Sequence, residues 1–177
     1  YGKFAMIPIL EPSTQQEAYD MMPYAYALSE ELKLPVLMRV VTRLAHSRAE
    51  IAVHEPLAQK PLSPDNERTH WVLLPGNARR QYATLVEKQA LLLSKSEESP
   101  YNSELDNQNS KLGVLACGIA YNYVMENDPH KLGIPVLKVS QYPLPEATIK
   151  AFAAQCESLL IAEDGQPMVE EQVKALL

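Results

Sequence analysis

Arg39 is a fixed positive charge inside Val36–Val41, a run that is otherwise apolar on both faces. A guanidinium in such a run is costly to bury unless a carboxylate or a bound anion faces it. A carboxylate of the chain itself is the simpler expectation, and a ligand-facing role is the other. Thr42, Arg43, His46 and Ser47 follow at once, just past the carboxyl end of an expected strand. Ligands of parallel sheets collect at that edge, so these side chains suit an anion; an ordinary polar loop between two domains fits them equally well. Arg79 and Arg80 form a second basic pair. With a helix expected from about Ala78 to Ser96, they fall in its first turn, where each positive charge opposes the helix dipole by about 0.3–1 kcal/mol. That placement asks for a partner, a protein carboxylate before a phosphate ligand, and Asn77 just ahead reads as an N-cap. Gly118 lies between a strand and a helix, where backbone amides can face an anion. Gly113 and Gly118 do not complete GxGxxG, so a plain turn glycine is the simpler reading.

The other reactive side chains point away from metal and thiol chemistry. Cys117 and Cys156 are the only cysteines and make no CxxC pair, so no iron–sulfur or zinc framework is encoded. Cys117 has no charged or histidine neighbour in sequence and reads as a small buried hydrophobe; a disulfide between the two cysteines stays open. His54, His70 and His130 lack metal-ligand spacing and read as surface or strap residues. No residue of this chain is expected to be catalytic. A net charge of −6, spread along the chain, argues against a nucleic-acid or anionic-membrane surface. The longest uncharged run, Leu112 to Met125, falls short of the about 20 apolar residues that cross a bilayer. Tyr1–Phe4 lacks a signal-peptide pattern. A cytoplasmic globular protein is the expectation. The absence of an initiator methionine, and a C-terminus inside an expected helix from Val169 to Leu177, read as cuts through a longer protein.

The elements that must position these residues fall into three stretches. Met6 to Leu10 reads as a short buried strand, ended by Glu11-Pro12. Ser13 with Gln16 makes a capping box for a helix reaching about Leu32. Pro23, inside that helix, removes a hydrogen bond and predicts a kink or break. Val36 to Val41 is then the second strand of a parallel βαβ unit. From His54 to His70, Pro56, Pro61 and Pro64 mark an extended strap; the helix from Ala78 to Ser96 and a polar stretch from Glu97 to Ser110 follow. The last stretch predicts three βα units: Leu112–Ala116 with a helix through Glu126, Val136–Val139 with a helix from Glu146 to Gln155, and Leu159–Ala162 with the terminal helix. Successive βα units imply a parallel α/β sheet.

Six phrases add a resemblance: EPSTQQEAYDM (11–21), ALSEELKLPVLMRVVTRLAHSR (27–48), LLPGNARRQY (73–82), LACGIAYNYV (115–124), YPLP (142–145) and AEDGQPMVEEQV (162–173). In order and spacing they resemble the large subunits of indolepyruvate ferredoxin oxidoreductases, within the thiamine-diphosphate-dependent 2-oxoacid:ferredoxin oxidoreductases. The pairing of PVLMRVVTRLAHSR with LACGIAYNYV is the most specific part. The resemblance implies an α/β chain in three parts. Residues 1–53 would be the end of a pyrimidine-binding-type domain, 54–110 a Pro-rich strap and connecting helix, and 111–177 a truncated transketolase C-terminal-like parallel domain.

The family's reaction is the oxidative decarboxylation of a 2-oxoacid, here an arylpyruvate such as indolepyruvate, to an acyl-coenzyme A with reduction of ferredoxin. The resemblance thus implies thiamine diphosphate, magnesium, iron–sulfur clusters and coenzyme A for the parent enzyme. The implied partners are the rest of the large subunit, a small (beta) subunit and ferredoxin. The family's GDG signature and its cluster cysteines are not in these 177 residues, so the piece alone is expected to be inactive and to hold no cofactor. Arg43 and His46 match the TR and H of the family segment, which implies a place near the cofactor cleft or a subunit interface. Coenzyme A is the phosphate ligand that Arg79 and Arg80 would meet. Two other readings stand beside this one: a transketolase or 2-oxoacid dehydrogenase β-chain fragment, and a non-catalytic module for subunit assembly or coenzyme A docking.

Overall fold

The computed structural model describes residues 1–59, 61–105 and 110–177. A single helical turn, α1 (Gly2–Ala5), opens the chain and is closed by Met6 in the left-handed region (φ 58°). That backbone cannot be extended, so the strand expected from Met6 is only β1 (Ile9–Leu10). The capping box is displaced by one residue. Thr14 caps α2 (Gln15–Leu32), its side chain accepting from Glu17 N at 3.1 Å, while Glu17 Oε2 accepts from Ser13 N at 2.6 Å. The carboxylate of Glu17 takes the place expected for Gln16 because it also answers the positive end of the helix. α2 runs through Pro23 without a break. Met21, Leu28 and Leu32, buried on either side of that proline, hold both halves against the core.

β2 (Leu37–Met38) pairs in parallel with β1, Ile9 opposite Leu37 and Leu10 opposite Met38. This completes the βαβ unit. The strand stops short of Val41 because the chain there enters α3 (Thr42–His46). Residues 48–59 and 61–67 form neither helix nor strand, as a proline-rich strap should. Beyond it lie α4 (Arg68–Trp71), α5 (Pro75–Glu87) and α6 (Gln89–Glu97). The single helix expected over 78–96 is thus two, meeting at Lys88, and the first begins at Pro75. Proline suits the first helical position, where its missing N–H would have no partner in any case.

β3 (Ser103–Leu105) forms in the stretch read as merely polar; residues 106–109 of that stretch lie outside the described residues. The three βα units follow as expected: β4 (Ser110–Cys117) with α7 (Ile119–Met125), β5 (Val136–Val139) with α8 (Glu146–Ala153), and β7 (Cys156–Ala162) with α9 (Met168–Leu176). The sheet order is β3-β5-β4-β7, with β4 parallel to both β5 and β7 and β3 antiparallel on the edge. Two carboxylates start the last helices from outside. Glu97 accepts from Ala147 N (2.7 Å) and Thr148 N (3.2 Å), and Glu163 accepts from Val169 N (2.9 Å) and Glu170 N (2.9 Å). Each satisfies amides that the helix itself leaves free.

One further strand was not foreseen. β6 (Gln141–Tyr142) runs antiparallel beside β1, making a second sheet ordered β2-β1-β6. The first and last stretches of the chain therefore share a sheet and a core. Ile9 and Tyr142 pack into the same buried cluster as Leu115, Leu137, Ile149 and Phe152. Among the described residues, no helix is long and apolar enough to cross a membrane.

Candidate functional site

Parallel strands present their carboxyl ends on one side, and here five such ends meet. Glu11 follows β1, Arg39 follows β2, Gly118 follows β4, Ser140 follows β5, and Glu163 and Asp164 follow β7. The partner expected for Arg39 is Glu11. Arg39 Nη1 donates to Glu11 Oε1, and its Nη2 donates to the Asp164 carbonyl at 2.7 Å, so one guanidinium ties both sheets together. The second carboxylate oxygen of Glu11 accepts from Tyr142 Oη at 2.7 Å, and Glu11 N donates to Ser140 O at 2.7 Å. Glu11 is 2% exposed, whereas the Arg39 side chain keeps 33% of its surface in solvent.

Burial pushes the Glu11 carboxyl above its usual range, and the Tyr142 hydrogen bond and the Arg39 charge only partly offset it. Burial likewise drives the Tyr142 hydroxyl and the neighbouring Cys117 thiol upward. Cys117 is therefore inert in the folded protein, as its sequence surroundings suggested.

Gly118 lies against this cluster. Its φ is +50°, and a Cβ built there would overlap Glu11 Oε1. Only glycine leaves room for that carboxylate. α7 behind it is a single short helix of 7 residues, and the carboxylate already sits at its start.

Outside the Glu11 cluster an open cleft of about 680 Å³ is bounded by residues 39–43 and His46 on one side and by Asp164 and Gly165 on the other. It brings together Arg39, Thr42, Arg43 and His46. Arg43 stands 5.5 Å from the centre of the Tyr123 ring, a cation–π arrangement that steadies the guanidinium without neutralising it. Of the residues that line the cleft, Asp164 alone is acidic. An open cleft with two arginines, a histidine and a threonine can receive an anionic group.

Arg79 and Arg80 lie elsewhere. Because α5 begins at Pro75, both fall beyond its first turn, and the dipole penalty expected for them is mostly gone. Arg80 Nη2 donates to Asn77 Oδ1 at 2.6 Å, and Asn77 Nδ2 donates to Val72 O at 3.0 Å. Asn77 thus sits inside the helix instead of capping it. Among the described residues neither arginine is paired with a carboxylate. His54, on the strap, pairs with Asp20 of α2 (2.8 Å), and His70, in α4, pairs with Asp65 on the strap (2.5 Å).

Sequence reasoning missed Glu11, Tyr142 and Asp164. Glu11 was read only as the stop of a strand; the usable signal was an acid at the end of β1, the strand neighbouring the one that ends in an unpaired arginine. Metal and cluster chemistry do not fit these residues. Among the described residues, no three His, Cys, Asp or Glu side chains gather to hold a metal ion. Cys156 faces Ser110 at the start of β4, and Cys117 ends that strand, on the order of 20 Å away at about 3.3 Å per residue. The two cysteines can neither share a cluster nor form a disulfide.

Comparison with known proteins places the chain. No family model matches it. It is 35% identical over 188 residues to indolepyruvate oxidoreductase subunit IorA of Archaeoglobus fulgidus, covering 99% of this chain and 29% of that subunit. The IorA of Methanothermobacter thermautotrophicus matches at 35% with the same coverages, and that of Thermococcus kodakarensis at 32% over 98% of the chain and 28% of the subunit. Among solved structures, a 2-oxoglutarate:ferredoxin oxidoreductase from Magnetococcus marinus, with 2-oxoglutarate, coenzyme A and succinyl-CoA bound, superposes with a TM-score of 0.47 at 17% identity over 59% of this chain and 19% of that one. A likeness of that size supports nothing further. The chain spans about 29% of the length of the curated relatives it matches, and from end to end it is related by sequence to the IorA subunits of the indolepyruvate oxidoreductases.

Proposed function

We propose that the chain is part of an indolepyruvate-type 2-oxoacid:ferredoxin oxidoreductase that converts an aryl 2-oxoacid to an acyl-coenzyme A and reduces ferredoxin. The observation that carries this reading is the match to IorA subunits along 99% of the chain. Residues 1–53 are read as the end of a pyrimidine-binding-type domain, 54–110 as the connecting strap and helices, and 111–177 as a transketolase C-terminal-like domain. The parent enzyme works in the cytoplasm with a small subunit and ferredoxin. Its thiamine diphosphate, magnesium and iron–sulfur clusters are assigned to other parts of the protein, because the family's GDG signature and cluster cysteines are not in these 177 residues. Thiamine diphosphate supplies the electron sink for decarboxylation.

What this chain adds to that reaction is the cleft. Arg43, held by Tyr123, and His46 present positive and hydrogen-bonding groups to a carboxylate or phosphate of the substrate or cosubstrate. Arg39 forms the wall behind them. Arg79 and Arg80, with no carboxylate partner among the described residues, are kept as a second, peripheral contact for a coenzyme A phosphate.

The test uses the full-length protein with its partner subunit under anaerobic conditions. Reduction of a ferredoxin or viologen dye should depend on both an arylpyruvate and coenzyme A. Arg43→Met should raise the KM for the oxoacid by about 10- to 100-fold, the equivalent of a lost charge-assisted hydrogen bond of about 1.5–3 kcal/mol. Dye reduction that ignores coenzyme A and arylpyruvates would overturn the reading.

A further inference from the structure

We propose that Glu11 is a positioning residue for the cleft. Its carboxylate holds Arg39 in the orientation that joins the end of β2 to the Asp164–Gly165 turn, and so sets the wall against which Arg43 and His46 bind their anion. The inference rests on the 2-oxoacid reading of that cleft and assigns Glu11 no contact with substrate.

Four observations converge on Glu11. Both carboxylate oxygens are committed, one to Arg39 on the cleft side and one to Tyr142 from β6 on the core side. The backbone is fixed as well, through Glu11 N to Ser140 O at 2.7 Å. The space it fills is kept by Gly118, where a Cβ would overlap Oε1. Finally, Arg39 uses its other amine for the Asp164 carbonyl, 125 residues away in sequence, so the guanidinium spans both sheets at the wall of the cleft.

Stability alone does not account for this arrangement. A buried ion pair replaced by apolar residues of similar volume is often neutral or more stable, while removing one partner alone is strongly destabilising. A carboxylate 2% exposed therefore points to specificity of geometry. Without it, Arg39 has no reason to lie flat across the sheet junction, and its guanidinium is free to turn into the cleft. There it would compete with Arg43 for the anion and release the 163–165 turn.

The experiment compares three forms of the full-length enzyme with its partner subunit: wild type, Glu11→Gln, and the double replacement Glu11→Leu with Arg39→Met. Peptide-resolved modification by phenylglyoxal reads the freedom of Arg39 without using activity. In Glu11→Gln, Arg39 should react about fivefold faster or more, since the guanidinium loses its charged partner. The KM for the oxoacid should rise roughly tenfold, with kcat changed less than about threefold. In the double variant, thermal stability should return to that of wild type or above, while the KM stays raised, because an apolar pair restores packing but holds no turn in place. A double variant with wild-type stability and wild-type KM would reduce the pair to scaffolding. Unchanged phenylglyoxal reactivity of Arg39 in Glu11→Gln would overturn the proposal directly, even if the double variant fails to fold. If wild type itself oxidises no 2-oxoacid, the functional reading fails, and the phenylglyoxal result still decides whether Glu11 holds Arg39.

Discussion

Asn102 joins three elements through one side chain, and its removal has a magnitude that follows from the structure. Its Oδ1 accepts from Ser140 N (2.8 Å) and Gln141 N (3.0 Å), and its Nδ2 donates to Ser96 O (2.8 Å). Ser96, Ser140 and Gln141 are at most 1% exposed, so Asn102→Ala leaves two buried donors stranded, while Ser96 O keeps only its 3.3 Å bond from Ser99 N. Each stranded group costs about 1–3 kcal/mol. Asn102 itself is half-buried, and water entering from its side will recover part of the loss. The expected net cost is about 3 kcal/mol, in the lower half of the sum for the two stranded donors. For a chain of 177 residues that corresponds to a fall in Tm of about 6–12 °C. Asn102→Asp keeps both accepted bonds, cannot donate to Ser96 O, and sets a charge against that carbonyl, so it should fall between wild type and alanine. Calorimetry on the three proteins checks the order and the size. A Tm within about 2 °C of wild type for Asn102→Ala would refute the claim that this amide closes the junction of α6, β5 and β6.

Three further outcomes follow from other sites. Gly118→Ala, which adds a Cβ against Glu11 at φ +50°, should cost about 2 kcal/mol or more by denaturant midpoint, whereas Gly76→Ala, in α5 with nothing within 4 Å, should gain about 0.5 kcal/mol; equal effects at the two glycines would contradict the geometry. The folded Glu11 carboxyl is raised above its ordinary value of 4.5, so the folded state holds that proton longer than the unfolded chain does. The resulting stability is present at low pH and is lost as pH rises from about 4.5 through the folded value. Wild type should therefore gain on Glu11→Gln as the pH is lowered through that window, and an advantage that shrinks on acidification would mean that the folded carboxyl is depressed instead. Cys117, buried and with its thiol pushed upward, should resist an aromatic disulfide reagent until the protein unfolds, while half-buried Cys156 reacts in the native state; early labelling of Cys117 would show that the cluster opens.

Local pattern was enough for the elements of the last stretch. Three apolar runs, each followed by a turn and an amphipathic helix, specify β4, β5 and β7 with α7, α8 and α9, and the rule for βα connections makes those strands parallel. The βαβ unit at the start was legible for the same reason. The ion pair of Arg39 was legible as a demand, because a guanidinium in an apolar strand must have a partner. Boundaries were not. Whether Ser13 or Thr14 caps α2, and whether α5 starts at Pro75 or Ala78, turns on small differences between acceptable caps. The second of these moved Arg79 and Arg80 out of the first turn and removed the electrostatic reason for singling them out.

Tertiary structure decided the rest. β6 is two residues beside β1, with no local pattern to announce it; its place comes from Asn102, Ser96 and the shared core, partners dispersed along the chain. The same holds for the identity of the Arg39 partner. Glu11 is 28 residues away and Asp164 is 125, and only the stacking of two sheets at their carboxyl ends brings the three together. Gly118 was visible in sequence as a turn glycine, but its need to be glycine comes from a carboxylate that no local reading places beside it. Sequence specifies local conformation because hydrogen bonding and side-chain period act over a few residues. Which charges meet is settled by the burial of both sheets in one core, and that is a property of the whole fold.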